Sequence, residues 1–333
     1  MPKTRIGFFG CGGIGSYHAE RLKRLENVEI AGGTDTDSQR LKTFVDRFGG
    51  VPYRSLDEML SAGRPDAVYA TTPPFARGPE VAAIEKGIPV FFEKPVALTM
   101  SKAEELLRAV RSHGVVNSVG YMSRYMDLVD LAKEQISKGG PISMVQGEWI
   151  GSFHFPKGHW WVYKDKGGGQ LIEQTTHAVD LARYLAGEAN VVSAQIDNLV
   201  VNKFIDPDAT AEDTSMVMLR FRSGAIGTIT SSCVSQDSYA GWGVKVFAKD
   251  VVLDYSGSAK TLKVHRGNEV REVRSKMDPY FEEDRVFVEA VRTGNTDGIR
   301  STFEDAARTL ELTVAANGMS EKGHIVAQGT VER

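Results

Sequence analysis

Two cysteines in 333 residues, Cys11 and Cys233, leave no material for a disulfide framework, and the scarcity suits a reduced, cytoplasmic setting. Long apolar runs are missing as well. The strongest, Ile88–Phe92, stops at Glu93-Lys94, far short of the ~20 residues of a membrane span. The apolar Ile6–Phe9 ends at Gly10, too short for the apolar region of a signal peptide, and reads as a first strand. No Lys/Arg-rich run exists, and a formal net charge of −3 with a pI near 6.2 gives no footprint for nucleic acid or an anionic membrane. Internal repeats and disorder-prone composition are also absent; 41% hydrophobic and 25% charged residues are ordinary globular values. The length exceeds what one hydrophobic core usually serves, so the chain is expected to form two domains that handle a small neutral or polar ligand.

What is present is a regular alternation. Strand-length apolar runs at 5–9, 28–33, 67–70, 89–93 and 115–121 alternate with helical periodicity at 13–24, 38–48, 79–86 and 101–113, the pattern of a parallel sheet covered by helices. Past Tyr121 the pattern changes. One helix (126–137), one strand (142–150) and a loop rich in aromatics and glycine lead to a helix expected over 171–185 and ended by Gly187. Strands follow at 190–201, 214–221, 225–232, 243–247 and 261–266, with turn signals at Ser223-Gly224 and Gly267-Asn268, and the end returns to helix at 280–292 and 303–316. The fold class expected is α/β: a dinucleotide-binding domain over 1–121, then an α+β domain over 122–333 with a large, mainly antiparallel sheet. The segment 303–333 is expected to be able to pack back on the first domain.

Gly10-Cys11-Gly12-Gly13-Ile14-Gly15 is G-x-G-x-x-G directly after a strand and opening a helix. Gly10 permits a tight turn, Gly12 lets backbone approach a pyrophosphate, Gly15 lets helix pack on strand, and the helix N-terminus attracts phosphate. Asp35 ends the second strand at the distance from the glycines where a carboxylate takes the adenine ribose hydroxyls. It would repel a 2′-phosphate, which favours NAD, while Arg40 a few residues on keeps NADP possible; a solvated helix face is the plainer role for Arg40.

Lys94 follows the apolar stretch Pro89–Phe92 at the carboxyl edge of the parallel sheet, where open α/β folds bind ligands, and Pro95 keeps the strand from continuing. Glu173, His177 and Asp180 stand at i, i+4 and i+7, one face of the expected helix, and make a titratable cluster. Oxidation of an alcohol by a nicotinamide needs a base for the hydroxyl proton, and an imidazole titrates in the right range. His154, His159 and His177 lack metal-binding helical spacing and no cysteine joins them, so no metal is expected.

Together, Phe91-Phe92-Glu93-Lys94-Pro95 and the run from Gly167 to Asp180 resemble the glucose-fructose oxidoreductase, inositol dehydrogenase and MocA (Gfo/Idh/MocA) family, a resemblance that extends from the Gly10 loop to the helix at 301–316. It implies a Rossmann NAD(P)-binding domain, with cofactor contacts from the glycine loop, Asp35, Thr71, Thr72, Pro73, Glu93 and Lys94. It implies His177 as general acid/base, Lys94 as auxiliary catalytic lysine and Glu173 as the second active-site carboxylate, a position where the family most often has Asp. Arg77 stands where many relatives have His. Tyr121 and Arg124, with Glu173 and His177, are the substrate contacts implied. Trp160 and Trp161, in the loop before the glycine triplet, either lay their faces against a sugar's C–H surface as further substrate contacts or serve as core or interface anchors. The activity implied is hydride transfer between nicotinamide and a hydroxyl or keto carbon of a sugar, inositol or related polyol, in a homo-oligomer (dimer or tetramer) built through the C-terminal sheet. The same residues are compatible with an NAD-assisted glycosidase or epimerase that borrows and returns a hydride; a non-catalytic dinucleotide-dependent regulator would have little use for both Lys94 and His177.

Overall fold

Strands β1 (Thr4–Phe9), β2 (Val28–Thr34), β3 (Val51–Pro52), β4 (Ala67–Ala70), β5 (Val90–Phe92) and β6 (Asn117–Val119) form one parallel sheet in the order β3-β2-β1-β4-β5-β6. The computed structural model describes the backbone of residues 2–326 and the side chains of residues 2–321. β4 and β5 are apolar along their whole length because helices cover both faces of such a sheet, and every residue of each is buried. Strand order reverses between β1 and β4, which opens a crevice at their carboxyl ends. Aromatic rings fill the core: Phe8 lies 5.0 Å from Phe44, and Tyr69 stacks on Phe91 at 4.6 Å.

The described chain separates into two units, residues 2–125 with 278–307, and residues 126–277 with 308–326. The first is discontinuous where the sequence suggested a single boundary near Tyr121. Helix Pro279–Thr293 sends Phe287 and Val288 into the same core as Ile6, Phe8, Tyr69 and Phe91, a long-range packing that no local pattern announces. Residues 327–333 of the expected terminal segment lie outside the described residues.

The second unit is built on β7 (Ile142–Ile150), β8 (Ala189–Asp197), β9 (Thr214–Phe221), β10 (Ile226–Ser232), β11 (Gly241–Ala248), β12 (Val251–Ser256), β13 (Thr261–Arg266) and β14 (Glu269–Arg274). Their order is β14-β13-β12-β11-β7-β10-β9-β8, antiparallel except for the β10–β7 pair. Two of these escaped the sequence. β12 joins β11 through Lys249-Asp250, a turn with neither glycine nor proline, and β14 is an exposed edge strand, Glu-Val-Arg-Glu-Val-Arg, with no apolar run to mark it. Alternation in β9 buries one face and leaves Met216 and Met218 of the other 64% and 53% exposed.

Candidate active site

The glycine loop divides its labour as the fingerprint requires. Gly10 has φ +98°, and a Cβ there would lie 2.8 Å from the backbone of Thr71 and Thr72; a Cβ on Gly15 would lie 2.6 Å from the carbonyl oxygen of Gly10. These two glycines serve close packing, helped by Thr71 Oγ1, which donates to the Gly10 carbonyl at 2.6 Å. Gly12 and Gly13 face open space, the nearest atom to a Cβ on Gly12 being Arg40 Cδ at 4.0 Å. Helix Ser38–Phe48 is capped by Asp37, whose carboxylate accepts from the amides of Gln39 and Arg40, both at 3.0 Å. Helix Gly13–Leu22 has no side-chain cap. Its first-turn amides suit a phosphate, so the loop fits a dinucleotide.

Asp35 takes the Cys11 amide at 2.8 Å and the Asp37 amide at 2.9 Å, which fixes its carboxylate beside the loop, and the Arg40 guanidinium lies 3.2 Å away. Arg40 and Arg47 both border a recess next to Gly12 and Gly13. Burial first, and the Asp35 charge second, push the Cys11 thiol up to about 12, so it is inert packing. Ile14 is half-buried in the first helical turn.

At the end of β5, Glu93 accepts from His18 Nε2 at 2.8 Å, while His18 Nδ1 meets Asp284 at 2.8 Å and Tyr69 OH donates to the same Asp284 oxygen at 3.1 Å. The second Glu93 oxygen accepts the Lys94 amide at 3.0 Å. Arg77, buried, donates to the carbonyls of Ala70 (2.8 Å) and Glu93, so this departure from the family pattern ties the ends of β4 and β5 together. Thr71 is buried, whereas Thr72, Pro73 and Lys94 are half-buried. The cluster around His18 was not read from the sequence. Its signal was a histidine on the stripe Gly15, His18, Ala19, Leu22 that the first helix buries.

Donor atoms of His18, Glu93 and Glu283 lie within 4.8 Å of one another, a spacing open to a metal. Burial alone would discharge His18, but the charge and bond of Asp284, then Glu93, lift its pKa well above the ordinary value. Both ring nitrogens stand against carboxylates, a geometry that favours the protonated imidazole. Burial also keeps the Glu283 carboxyl protonated well above the usual range.

Tyr121 and Arg124 are buried. Arg124 pairs with Asp305 and donates to the Arg300 carbonyl at 2.8 Å, placing its guanidinium in the packing of the first unit.

In the second unit the helix expected over 171–185 is broken. Gln170–Glu173 is a single turn, the chain kinks at Gln174 and Thr175, and Thr176–Ala186 begins anew. Glu173, His177 and Asp180 therefore do not share one continuous helix face: Asp180 is buried and accepts from Thr309 at 2.8 Å, while His177 is half-buried with its ring 5.8 Å from Trp242. The periodicity concealed the break because apolar residues on both sides of it are core. Glu173 is buried and borders a recess with Trp161 and Phe155, whose rings are 4.4 Å apart edge to face. Trp160 packs edge-on against Trp161 and stacks on His159 at 5.6 Å. Partial burial lowers the His159 pKa, opposed by the charge of Glu173. His154 and Lys157 are spent on surface pairs with Asp237 (2.8 Å) and Asp208 (3.1 Å). The sequence reading missed Gln170, Glu212 and Trp242, which come from three separate segments.

Residues 4–121 match the model described as an oxidoreductase family with an NAD-binding Rossmann fold, and residues 130–253 match the GFO/IDH/MocA C-terminal domain. The chain is 26% identical to myo-inositol 2-dehydrogenase of Thermotoga maritima over 96% of each protein. Among solved structures, levoglucosan dehydrogenase in complex with NADH and levoglucosan superposes with TM-score 0.85 at 20% identity, covering 96% of this chain and 98% of that one. The WlbA dehydrogenase from Bordetella pertussis, in complex with NADH and UDP-GlcNAcA, gives 0.82 at 23% identity over 96% and 97%.

Proposed function

Because the chain belongs to the Gfo/Idh/MocA oxidoreductase family, with an NAD-binding Rossmann domain, we propose that it is an NAD-linked dehydrogenase of a sugar, inositol or related polyol. The observation that carries this reading is the division of the glycine loop: Gly10 and Gly15 are closed by packing, while Gly12, Gly13 and an uncapped helix end are open to a pyrophosphate. The whole-length similarity to an inositol dehydrogenase supports the substrate class.

In this proposal the loop, Asp35, Thr71, Thr72, Pro73 and Glu93 hold the dinucleotide, which supplies the hydride acceptor or donor when bound. His177 takes the hydroxyl proton during oxidation and returns it during reduction. The Lys94 ammonium hydrogen-bonds the reacting oxygen and offsets its developing negative charge. Glu173 orients the substrate, and the faces of Trp160 and Trp161 cover its C–H surface. Arg124 and Tyr121, both buried, brace the packing of the first unit.

Among the described residues no helix is long and apolar enough to cross a membrane, and both cysteines are buried and free, as a cytoplasmic protein allows. The exposed face of β9 and β10 is assigned to self-association. The test of the reading is a panel of polyols with NAD, followed by nicotinamide absorbance: net NADH production with a ring polyol is expected. Tightly retained cofactor with no net NADH would instead favour the borrowed-hydride reaction.

A further inference from the structure

The recess beside Glu173 holds more polar chemistry than its own side chains satisfy. Gln170 and Glu212 are 7% and 8% exposed. Gln170 Nε2 and Trp161 Nε1 have donors without an acceptor, and Glu212 Oε2 and Gln174 Oε1 have acceptors without a donor, all four atoms being buried. All four residues border one recess, which leaves about 20 Å³ for the centre of a water-sized group, room for a single hydroxyl or amine. An orphaned buried polar group is expensive, so four facing one recess mark a place where a polar group is received.

The site is also built. Ser231 donates to Gln170 Oε1, and Ser215, its partner across β9 and β10, lies 2.5 Å from the Ser231 hydroxyl; together they turn the amide nitrogen toward the recess. Glu212 Oε1 pairs with Lys164, whose ammonium also reaches Glu321 at 3.0 Å. The other Glu212 oxygen stands 2.0 Å from where a Cβ on Gly169 would be, at φ +88°. Only glycine admits the carboxylate there.

Resting on the polyol dehydrogenase reading, we infer that this recess is a subsite that receives a hydroxyl or amine of the substrate between Gln170, Trp161, Gln174 and Glu212, and that it excludes sugars bearing a carboxylate or phosphate there. A hydroxyl donates one hydrogen bond and accepts two, and an uncharged amine donates two and accepts one, so each serves three of the four atoms, with donors and acceptors both among them. A phosphate or carboxylate only accepts. It would leave the Gln174 and Glu212 oxygens unserved and set like charge against Glu173, while Lys164 is already engaged by Glu212 and Glu321. Burial pushes the Cys233 thiol in the wall up to about 12, so it adds neither charge nor reactivity.

The test measures binding and turnover separately on the NAD-loaded protein, with myo-inositol, glucosamine, glucose 6-phosphate and glucuronate as probes. Saturation-transfer NMR is expected to show the first two binding at least about tenfold more tightly than the anions, and Gln170→Leu is expected to weaken myo-inositol by about tenfold, the scale of one buried polar contact. Glu212→Gln, which keeps the shape, should narrow the discrimination against the anions. Binding with this selectivity but no turnover keeps the subsite and overturns the dehydrogenase reading. Turnover of neutral polyols with Gln170→Leu and Glu212→Gln both unchanged in KM keeps the dehydrogenase and overturns the subsite. Preference for an anion, or no binding of either uncharged or amine probe, overturns the subsite as well.

Discussion

Asp35 and the His18 cluster show how far single residues carry the account. The Asp35 carboxylate is held by two backbone amides, which suits the proposed role of accepting ribose hydroxyls and repelling a 2′-phosphate. Wild-type protein is expected to bind NAD more tightly than NADP by calorimetric titration. Asp35→Ser should narrow the gap, since Arg40 and Arg47 then border the recess without that carboxylate; a wild-type preference for NADP would contradict the assignment. The His18 cluster bears on stability. Glu283 and His18 both hold protons more firmly in the folded chain than their ordinary values of 4.5 and 6.5. Their contributions are therefore complete below those values and are lost as pH rises through the folded-state values. Each group adds a slope of up to about 1.4 kcal/mol per pH unit. Denaturant unfolding should show stability falling above pH ~4.5, and Glu283→Gln, which keeps the shape and removes the ionisation, should flatten that fall and be at least as stable as wild type at pH 8. An unchanged slope in the variant would show that Glu283 is not the proton carrier.

At the scale of elements, five strands of the parallel sheet were legible as apolar runs punctuated by glycine and proline, while β3, two exposed residues, was not. The positions of the glycine loop, Asp35 and Lys94, just past the ends of β1, β2 and β5, were legible as strand ends. The helix break at Gln174-Thr175 was not, since a 3.6-residue pattern continues across it. Nor was the Gln170, Trp161 and Glu212 grouping, because it depends on a short helical turn, an aromatic loop and the segment before β9 converging. Gly169 is the residue through which that convergence is read: alanine there would sit in a glycine-only backbone region and on the Glu212 carboxylate. Gly169→Ala is expected to lower stability by about 1–3 kcal/mol in urea unfolding. An alanine variant with wild-type stability would mean that the turn relaxes and Glu212 moves away.

Across the whole molecule, two folding units were expected from length and pattern, and the return of 278–307 to the first was hidden because it is sealed by Phe287 and Val288, residues far in sequence from their neighbours. The second sheet leaves Met216, Met218 and Ile226 on an exposed face. Apolar area of this kind on an alternating strand suits a subunit contact. Light scattering should find an oligomer, with Met218→Lys shifting it toward smaller species; a monomeric wild type would remove that role from the sheet.

We propose nicotinamide-linked hydride transfer in which His177 moves the proton and Lys94 supports the reacting oxygen. The most direct measurement is steady-state turnover of a confirmed polyol substrate by wild type, His177→Ala and Lys94→Ala, alongside NAD affinity and a check of folding. Loss of a general acid/base is expected to lower kcat by about 100- to 10,000-fold in the His177 variant, with NAD affinity little changed. Near-wild-type turnover by folded His177→Ala would contradict the mechanism.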